Sequence, residues 1–283
     1  MPCLNLQRCR PGWLASLSLA LSVTLSGCAV SPSGERTLLL NSPAQMNAMG
    51  TQSFEQMKEK IPIETDARTN RYVECVSDAI VMQVPREYGY APQDWELVVF
   101  KDEAVNAFAL PGGKIGVYTG MLKVANNQHQ LASVIGHEVS HVLAQHSNAR
   151  MSQQQLTQLG IVATSVALAD RVDSKTQQAA IMALGLGAQY GILLPYSRRH
   201  ESEADMLGQE LMAKAGFDPR EAVTLWQTMA QQGGAAPPEL LSTHPAPGTR
   251  IQQLDAQVSR YMPLYQQALA EGRKPSCDRL KPR

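Results

Sequence analysis

His137 and His141 lie four residues apart on either side of an acidic residue, and this segment is the one best suited to chemistry. On a helix, residues four apart share a face, so both imidazoles can bind one metal ion. Glu138 follows the first histidine and can reach a water held by that metal. The metal lowers the pKa of the water and polarises a carbonyl, while the carboxylate moves the proton to a leaving amine. The segment therefore predicts metal-dependent hydrolysis with Glu138 as the base.

The alternative is a pair of exposed histidines on an amphipathic helix. Apolar residues around the pair argue against exposure, because they would bury much of this helix: Ile135, Val139 and Val142. A buried imidazole needs a polar partner, and a metal ion supplies one. The pattern favours a metal site.

A catalytic zinc site needs a third protein ligand and an open fourth position. In the pattern HExxHxxGxxH, glycine and histidine would stand where this chain has Ala144 and Ser147, which excludes that class of site. His146 follows His141 by five residues and would lie on another helical face, so we expect it to be structural. The third ligand must come from elsewhere in the chain.

Glu201 and Asp205 are four residues apart and share a helical face, as in the ExxxD arrangement of gluzincins. We expect Glu201 to be the third ligand and Asp205 to accept a hydrogen bond from a ligand histidine, which fixes its tautomer. Glu203 is the rival ligand, but it would point to nearly the opposite side of the helix. Ordinary solvated charges are the remaining alternative.

Periodicity and turn residues predict the elements that position these side chains. Helices are expected from Thr65-Asp66 to before Pro85 and over 127–146, 199–216, 219–232 and 247–270, and strands over 95–100, 106–110 and 114–119. The apolar stretches 159–169 and 181–194 are too short to span a membrane and are expected to be buried or interfacial helices, with plain core helices favoured.

Four segments together resemble metallopeptidase family forty-eight: HEVSHVLAQH, ESEAD, NAFALPGGKIGVYTG and STHPAPGTRI. The resemblance covers residues 65–270, and the soluble, LoiP-like lipoprotein branch is the closer match. It implies an α+β fold, a mainly helical gluzincin domain with a small sheet lining the cleft. It also implies a zinc metalloendopeptidase with one Zn2+ per chain.

The resemblance gives a role to the strand that contains Asn106, Ala107 and Phe108. In zincin folds, the strand at the cleft pairs with an extended substrate, so its backbone groups would bind any peptide. An ordinary sheet strand is the alternative, and both can hold.

His244 lies between Thr243 and two nearby prolines, in a segment that cannot be regular helix. The resemblance places this loop near the cleft. We hypothesise that His244 occupies the open metal position in a resting state, which substrate would displace. Stabilising the oxyanion and plain packing are the alternatives. Arg250, in the same region, would bind either substrate backbone or an acidic neighbour.

The N-terminal segment resembles a lipoprotein signal peptide over residues 1–27. Arg8 and Arg10 precede a short apolar run, which reaches Cys28 through small residues. A membrane-spanning anchor is the alternative, but a span needs about 20 apolar residues. We expect Cys28 to be lipidated and, because Ala29 rather than Asp follows it, the protein to be an outer-membrane lipoprotein facing the periplasm.

Cys75 and Cys277 are the cysteines that remain after the signal peptide and Cys28. In an oxidising compartment two such thiols predict a disulfide, with two unpaired buried thiols as the alternative. By composition, residues 28–60 predict a tether with a short helix at 43–60, followed by a peptidase domain over 61–283.

The sequence thus predicts hydrolysis of internal peptide bonds, with misfolded or stalled envelope proteins as the substrates suggested by the resemblance. Lys+Arg and Asp+Glu each number 25, so no charge excess points to nucleic acid as a partner. The alternative function is a chaperone-like lipoprotein that holds unfolded envelope proteins and rarely cuts. A purely structural metal site fits less well, because such sites are closed and often rich in cysteine.

Overall fold

The computed structural model describes residues 28–169, 171–232, 240, 244 and 249–281, so the predicted signal peptide lies outside the described residues. The helices are α1 (Pro43–Lys60), α2 (Ala67–Val81), α3 (Gln128–Leu143), α4 (His146–Leu168), α5 (Ser174–Ala188), α6 (Leu194–Lys214), α7 (Arg220–Gln232) and α8 (Arg250–Ala270). The strands are β1 (Cys28–Val30), β2 (Arg36–Leu38), β3 (Glu96–Phe100), β4 (Ala107–Leu110) and β5 (Lys114–Tyr118). Helices dominate and the sheets are small, which confirms the predicted α+β fold class.

The larger sheet has β5 at its centre, with β3 parallel on one side and β4 antiparallel on the other. Phe108 of β4 lies opposite Gly116 of β5, and its ring covers the glycine. A Cβ at Gly116 would lie 2.2 Å from that ring, so a larger residue here would displace the Phe108 ring. Within the described part of the chain, no strand pairs with the outer edge of β4.

Helix α3 forms the centre of the core. Its N-cap residue, Asn127, accepts hydrogen bonds from the backbone N–H groups of His129 and Gln130, which fixes where the helix begins. Almost every residue of α3 is buried, so this helix has no solvent-facing side. His137 and His141 are therefore held inside the protein, as the apolar residues around them predict.

Helices α3 and α6 cross at two glycines. A Cβ at Gly208 of α6 would lie 2.8 Å from the backbone nitrogen of His137, and a Cβ at Gly136 would lie 3.0 Å from the Gly208 oxygen. Any larger residue at either position would push the helices apart. The crossing brings the HExxH segment of α3 against the ExxxD segment of α6.

A disulfide joins Cys75 of α2 to Cys277 near the C-terminus, across a sequence separation of 202 residues, which confirms the predicted pairing. The C-terminal segment also contacts the start of α3. Gln128 donates to the Pro275 carbonyl at 2.9 Å and accepts from the Cys277 backbone N–H. The disulfide therefore ties α2 to the C-terminal segment, and that segment in turn hydrogen-bonds the first residue of α3.

Replacing both bridging cysteines, Cys75→Ala with Cys277→Ala, is expected to lower the free energy of unfolding by about 2–5 kcal/mol, because the unfolded chain loses a long covalent loop. Urea unfolding of the oxidised wild type and the double variant measures the difference. The reduced wild type should unfold at the same urea concentration as the double variant. An equal midpoint for oxidised wild type and variant would contradict a stabilising role.

Residues 28–60 differ from the predicted tether. Strands β1 and β2 form an antiparallel hairpin, and α1 has the bounds predicted for the short helix. Helix α1 buries Met46 and Phe54, and its Gly50 lies so close to Pro111 that a Cβ would meet the carbonyl oxygen at 2.0 Å. The segment is therefore packed on the rest of the domain, although its polar composition predicts a tether.

Helix α4 contains residues 159–168 of the first apolar stretch, and α5 contains residues 181–188 of the second. The favoured interpretation of both as plain core helices is wrong. Only the first turns of α4 are buried, and no described residue of α5 is. Large apolar side chains are exposed along both helices, for example Leu159 at 64%, Val166 at 72% and Met182 at 66%. Among the described residues, no helix combines the length and the hydropathy that crossing a bilayer requires.

Candidate metal centre

Helix α3 and helix α6 bring three of the predicted ligands together. His137 Nε2 lies 3.0 Å from His141 Nε2 and 3.2 Å from Glu201 Oε2, and His141 Nε2 lies 3.6 Å from Glu201 Oε1. With His244, one ligand atom from each residue lies within 4.8 Å of every other. The four side chains thus converge on one point.

Two carboxylate oxygens at this point lack a hydrogen-bond partner among the described residues. They are Oε1 of Glu138 and Oε1 of Glu201, and both are buried. A buried, unpaired carboxylate oxygen is costly unless a cation or a water satisfies it. Two imidazoles and a carboxylate are also a donor set that zinc prefers. The residues present therefore fit a zinc ion.

Asp205 lies behind the first histidine. Its Oδ1 is 2.9 Å from His137 Nδ1 and also accepts a hydrogen bond from Arg250. Burial and Arg250 lower the pKa of His137, but hydrogen bonds to Asp205 and Glu201 outweigh them and raise it to about 9. The contact to Asp205 holds a proton on Nδ1, so a metal ion at the point of convergence would take the place of the proton on Nε2.

Glu138 is buried beside the two histidines, and only 3% of it is exposed. Burial raises the pKa of its carboxyl group, while His244 and His137 oppose the rise. A carboxyl group whose pKa lies above its usual value accepts a proton more readily, which suits a catalytic base. Glu201 behaves oppositely: burial raises its pKa, but the His137, His141 and His244 rings beside it lower that pKa far more.

His244 stands at the fourth position of the cluster. Its Nδ1 lies 3.1 Å from Glu201 Oε2 and 3.3 Å from His137 Nε2, and its Nε2 lies 3.5 Å from Glu138 Oε1. The ring is therefore in reach of both the ligand set and the base. Residues 241–243 and 245–248 on either side lie outside the described part of the chain.

Arg250 contacts acidic neighbours rather than solvent. Its guanidinium hydrogen-bonds Asp205, lies 3.7 Å from Glu201 Oε2 and stacks at 3.4 Å over the ring of Trp226. Only 3% of Arg250 is exposed. The sequence allows either substrate backbone or an acidic neighbour as the partner of Arg250, and in the structure Arg250 contacts acidic neighbours.

The predicted substrate strand is the edge strand β4, but its residues differ in what they offer. The Phe108 side chain packs with Phe54, Phe100 and Tyr118, and is therefore occupied by the core. The Asn106 side chain accepts from the Ala107 backbone N–H at 2.9 Å. The Tyr118 N–H donates to Asn106 O, so the alternating ladder directs the backbone of the residues at 107 and 109 to the open edge.

His146 and Glu203 form a contact that the sequence interpretation missed. Helix α3 ends at Leu143, and Gln145 has φ 53°, so the chain turns before α4 begins. The turn brings His146 Nδ1 to 2.8 Å from His141 Nδ1, although helical spacing put the two on different faces. Glu203, the rival ligand, instead lies 3.0 Å from His146 Nε2. The left-handed backbone at Gln145 explains why His146 reaches His141. The neighbouring sequence does not indicate this conformation.

Burial and hydrogen bonds set the charge states of a second cluster, which consists of His146, His200 and Glu203. Burial lowers the pKa of His146 and brings that of His200 to about 3, so both rings are neutral at pH 7. Burial raises the pKa of Glu203, but hydrogen bonds from His146, Ser31 and Ser33 bring it down to about 2. Glu203 is therefore ionised.

The fold and the converging side chains define a zincin-type peptidase domain. Residues 67–258 match the family described as Peptidase family M48, and the chain belongs to that family. The family predicted from the four segments is therefore confirmed. The match covers both helices that carry the cluster and the edge strand.

Similar proteins include two metalloendopeptidases and one protease of another name. Mitochondrial metalloendopeptidase OMA1 of Schizosaccharomyces pombe is 35% identical over 179 residues, which is 61% of this chain and 50% of the relative. OMA1 of Arabidopsis thaliana is 37% identical over 166 residues, 58% of this chain and 32% of the relative. The beta-barrel assembly-enhancing protease of Escherichia coli is 27% identical over 226 residues, which is 78% of this chain and 45% of the relative. The chain thus spans half or less of each of these relatives.

Proposed function

We propose that this protein is a zinc-dependent endopeptidase that hydrolyses internal peptide bonds. The observation that carries the proposal is the convergence of His137, His141 and Glu201 on one buried point, with the Glu138 carboxylate beside it. In this proposal the three residues hold one zinc ion per chain. Membership of a peptidase family supports the same activity.

The roles of the side chains follow from their positions. Bound zinc would supply Lewis acidity for the scissile carbonyl and for the attacking water. Glu138 takes the proton from that water and passes it to the leaving amine, a transfer that its raised pKa favours. Asp205 holds the His137 ring through Nδ1, and Arg250 holds Asp205 in turn. An extended substrate would pair with the open edge of β4.

The proposed substrates are misfolded or stalled proteins of the cell envelope. An edge strand binds peptide backbone and so accepts many sequences, which suits a quality-control protease. One relative is, by its name, a beta-barrel assembly-enhancing protease. The predicted lipid on Cys28 would place the protein at the outer membrane, facing the periplasm. The resemblance to the soluble lipoprotein branch stays a prediction.

The alternative function is a lipoprotein that holds unfolded envelope proteins with little turnover. It would bind them at the same edge of β4 but would rarely hydrolyse a peptide bond. The test is whether an envelope protein-folding defect is rescued by the wild type and by Glu138→Gln. The proposed function predicts rescue by the wild type alone. Equal rescue by both would favour the holding function.

His244→Ala is expected to speed the cleavage of an unfolded protein, with zinc retained, if His244 closes the site at rest. The expected gain is about tenfold or more, because competent minor states are often populated at about 10% or less. Initial rates on an unfolded protein measure it. His129→Ala, at a histidine outside the cluster that accepts from the Asp218 N–H, is the control and should change little.

The other two roles of His244 predict different results. An oxyanion role predicts a fall in rate of about 10²–10³-fold, because a donor to the developing charge is lost. A packing role predicts an unchanged rate and lower stability. A slower His244→Ala enzyme with zinc and fold intact would overturn the resting-state role.

A further inference from the structure

We propose that His146 and Glu203 are positioning residues, which orient the metal ligand His141 through a continuous hydrogen-bond chain. The inference rests on the proposed zinc site, and it deepens that site by assigning two residues that lie behind it. Neither residue is within the ligand cluster.

The first link joins the two imidazoles. His141 directs Nε2 at the ligand cluster, where it lies 3.0 Å from His137 Nε2, and directs Nδ1 at His146. A neutral imidazole that binds a metal through Nε2 carries its proton on Nδ1. The Nδ1–H group therefore donates to His146 Nδ1, 2.8 Å away. This link works only if His146 offers a lone pair at Nδ1.

The second link supplies that lone pair. His146 Nε2 lies 3.0 Å from Glu203 Oε2, and a carboxylate accepts but does not donate. The proton of His146 must then be on Nε2, which leaves Nδ1 free to accept. One proton arrangement thus satisfies every atom from Glu203 to His141. The opposite tautomer of His146 would place two donors face to face.

The outer end of the chain is held by the N-terminal hairpin. The Ser33 backbone N–H donates to Glu203 Oε1 at 3.1 Å, so both carboxylate oxygens have partners. The His146 ring also stacks on His200, with centroids 4.1 Å apart and an angle of 13° between the planes. The His146 ring and the Glu203 carboxylate are therefore held in place, so His146 can orient the metal ligand His141.

The two histidine ligands then have matching support. The His137 Nδ1 atom faces a carboxylate directly, with Asp205 Oδ1 at 2.9 Å. His141 Nδ1 reaches a carboxylate through one intervening ring. Each ligand thus has its tautomer set by an acid, and Glu203 is the counterpart of Asp205. This accounts for two acids on α6 beyond the proposed ligand Glu201.

The test measures zinc affinity by competition with a chromophoric chelator on the full-length protein. His146→Leu removes both links and should weaken zinc binding by about 10–100-fold. His146→Asn keeps an acceptor oxygen near the position of Nδ1 and should recover part of the affinity. Glu203→Gln keeps the shape and an acceptor but loses the charge, so its loss should be smaller than that of His146→Leu.

Asn148→Ala is the matched control. Asn148 is on the same helix α4, equally buried, and hydrogen-bonds Asn41 rather than the ligand cluster. The Asn148→Ala change should lower the urea midpoint of the metal-free protein and leave its affinity for zinc unchanged. The absorption spectrum of the Co2+-loaded protein should shift for His146→Leu and not for Asn148→Ala, because only the first changes a ligand's orientation.

Two results would overturn the positioning role. One is zinc affinity within twofold of the control for His146→Leu or, if His146→Leu does not fold, for His146→Phe, which keeps a ring but offers no acceptor. The other is equal loss in His146→Leu and His146→Asn with unshifted Co2+ spectra, which indicates packing alone. A wild type that binds no zinc would instead contradict the proposed function, and the positioning role with it.

Discussion

Glu138→Gln is expected to lower the rate of peptide hydrolysis by about 10²–10⁴-fold while the zinc content of the protein stays the same. The amide has nearly the shape of the carboxylate but cannot accept the proton of the attacking water. The ligands His137, His141 and Glu201 are untouched, so the metal should remain. Initial rates on an unfolded protein, with zinc measured on the same samples, give both quantities.

A matched control separates the loss of the base from a general effect of the change. Glu210→Gln makes the same substitution on helix α6, where Glu210 pairs with Lys214 at the surface. This variant should keep both zinc and rate. Full activity in Glu138→Gln would remove Glu138 from the mechanism, whatever the zinc content.

Each single substitution of a proposed ligand, His137→Ala, His141→Ala or Glu201→Ala, is expected to lose zinc on dialysis and to lose hydrolysis. Each variant keeps only two of the three proposed ligands, and a catalytic zinc is held by three. His244, which substrate would displace, does not replace the lost ligand. Elemental analysis of the dialysed proteins measures the metal, and initial rates measure the activity. The expected loss of activity is at least as large as that of Glu138→Gln.

The contrast between the two sets of variants is informative. Ligand variants should lose metal and rate together, and excess zinc should restore part of the rate. Glu138→Gln should lose rate alone, and zinc should restore none. A Glu201→Ala variant that keeps full zinc content would show that another acid is the third ligand, and Glu203 was the rival in the sequence.

Much of the fold could be predicted because local patterns agree with it. Strands β3, β4 and β5 and helix α2 were expected from β-branched runs, a helix N-cap and turns. The N-cap Asp66 accepts from the Thr69 N–H, as its position before an apolar-periodic segment indicates. The helix crossing at Gly136 and Gly208 could not be predicted, because it depends on a contact between segments distant in sequence.

The site was predictable in its residues but not in its surroundings. Spacing on a helix places His137 with His141 and Glu201 with Asp205, and the structure has each pair on one element. The position of His146 depends instead on the turn at Gln145, a single backbone conformation that spacing does not encode. For Glu203 the sequence offers a rival metal ligand or a solvated charge, because nothing in it indicates the contact with His146.

Two segments were misjudged for a common physical reason. Residues 28–60 are polar in composition but pack on the domain through a few buried side chains such as Phe54. Helices α4 and α5 are apolar in composition but leave Val166 and Met182 exposed. Composition states what a segment could bury, whereas burial depends on whether another element lies against it.

The most direct test of the account is to map, by mass spectrometry, the fragments that the purified protein releases from an unfolded outer-membrane protein. The account predicts internal cleavage by the wild type, no fragments after treatment with a zinc chelator, and the same fragments again when zinc is restored. Glu138→Gln should release none under any of these conditions. Fragments that persist unchanged in the chelator, or that Glu138→Gln releases equally, would contradict a zinc peptidase centred on His137, His141, Glu201 and Glu138.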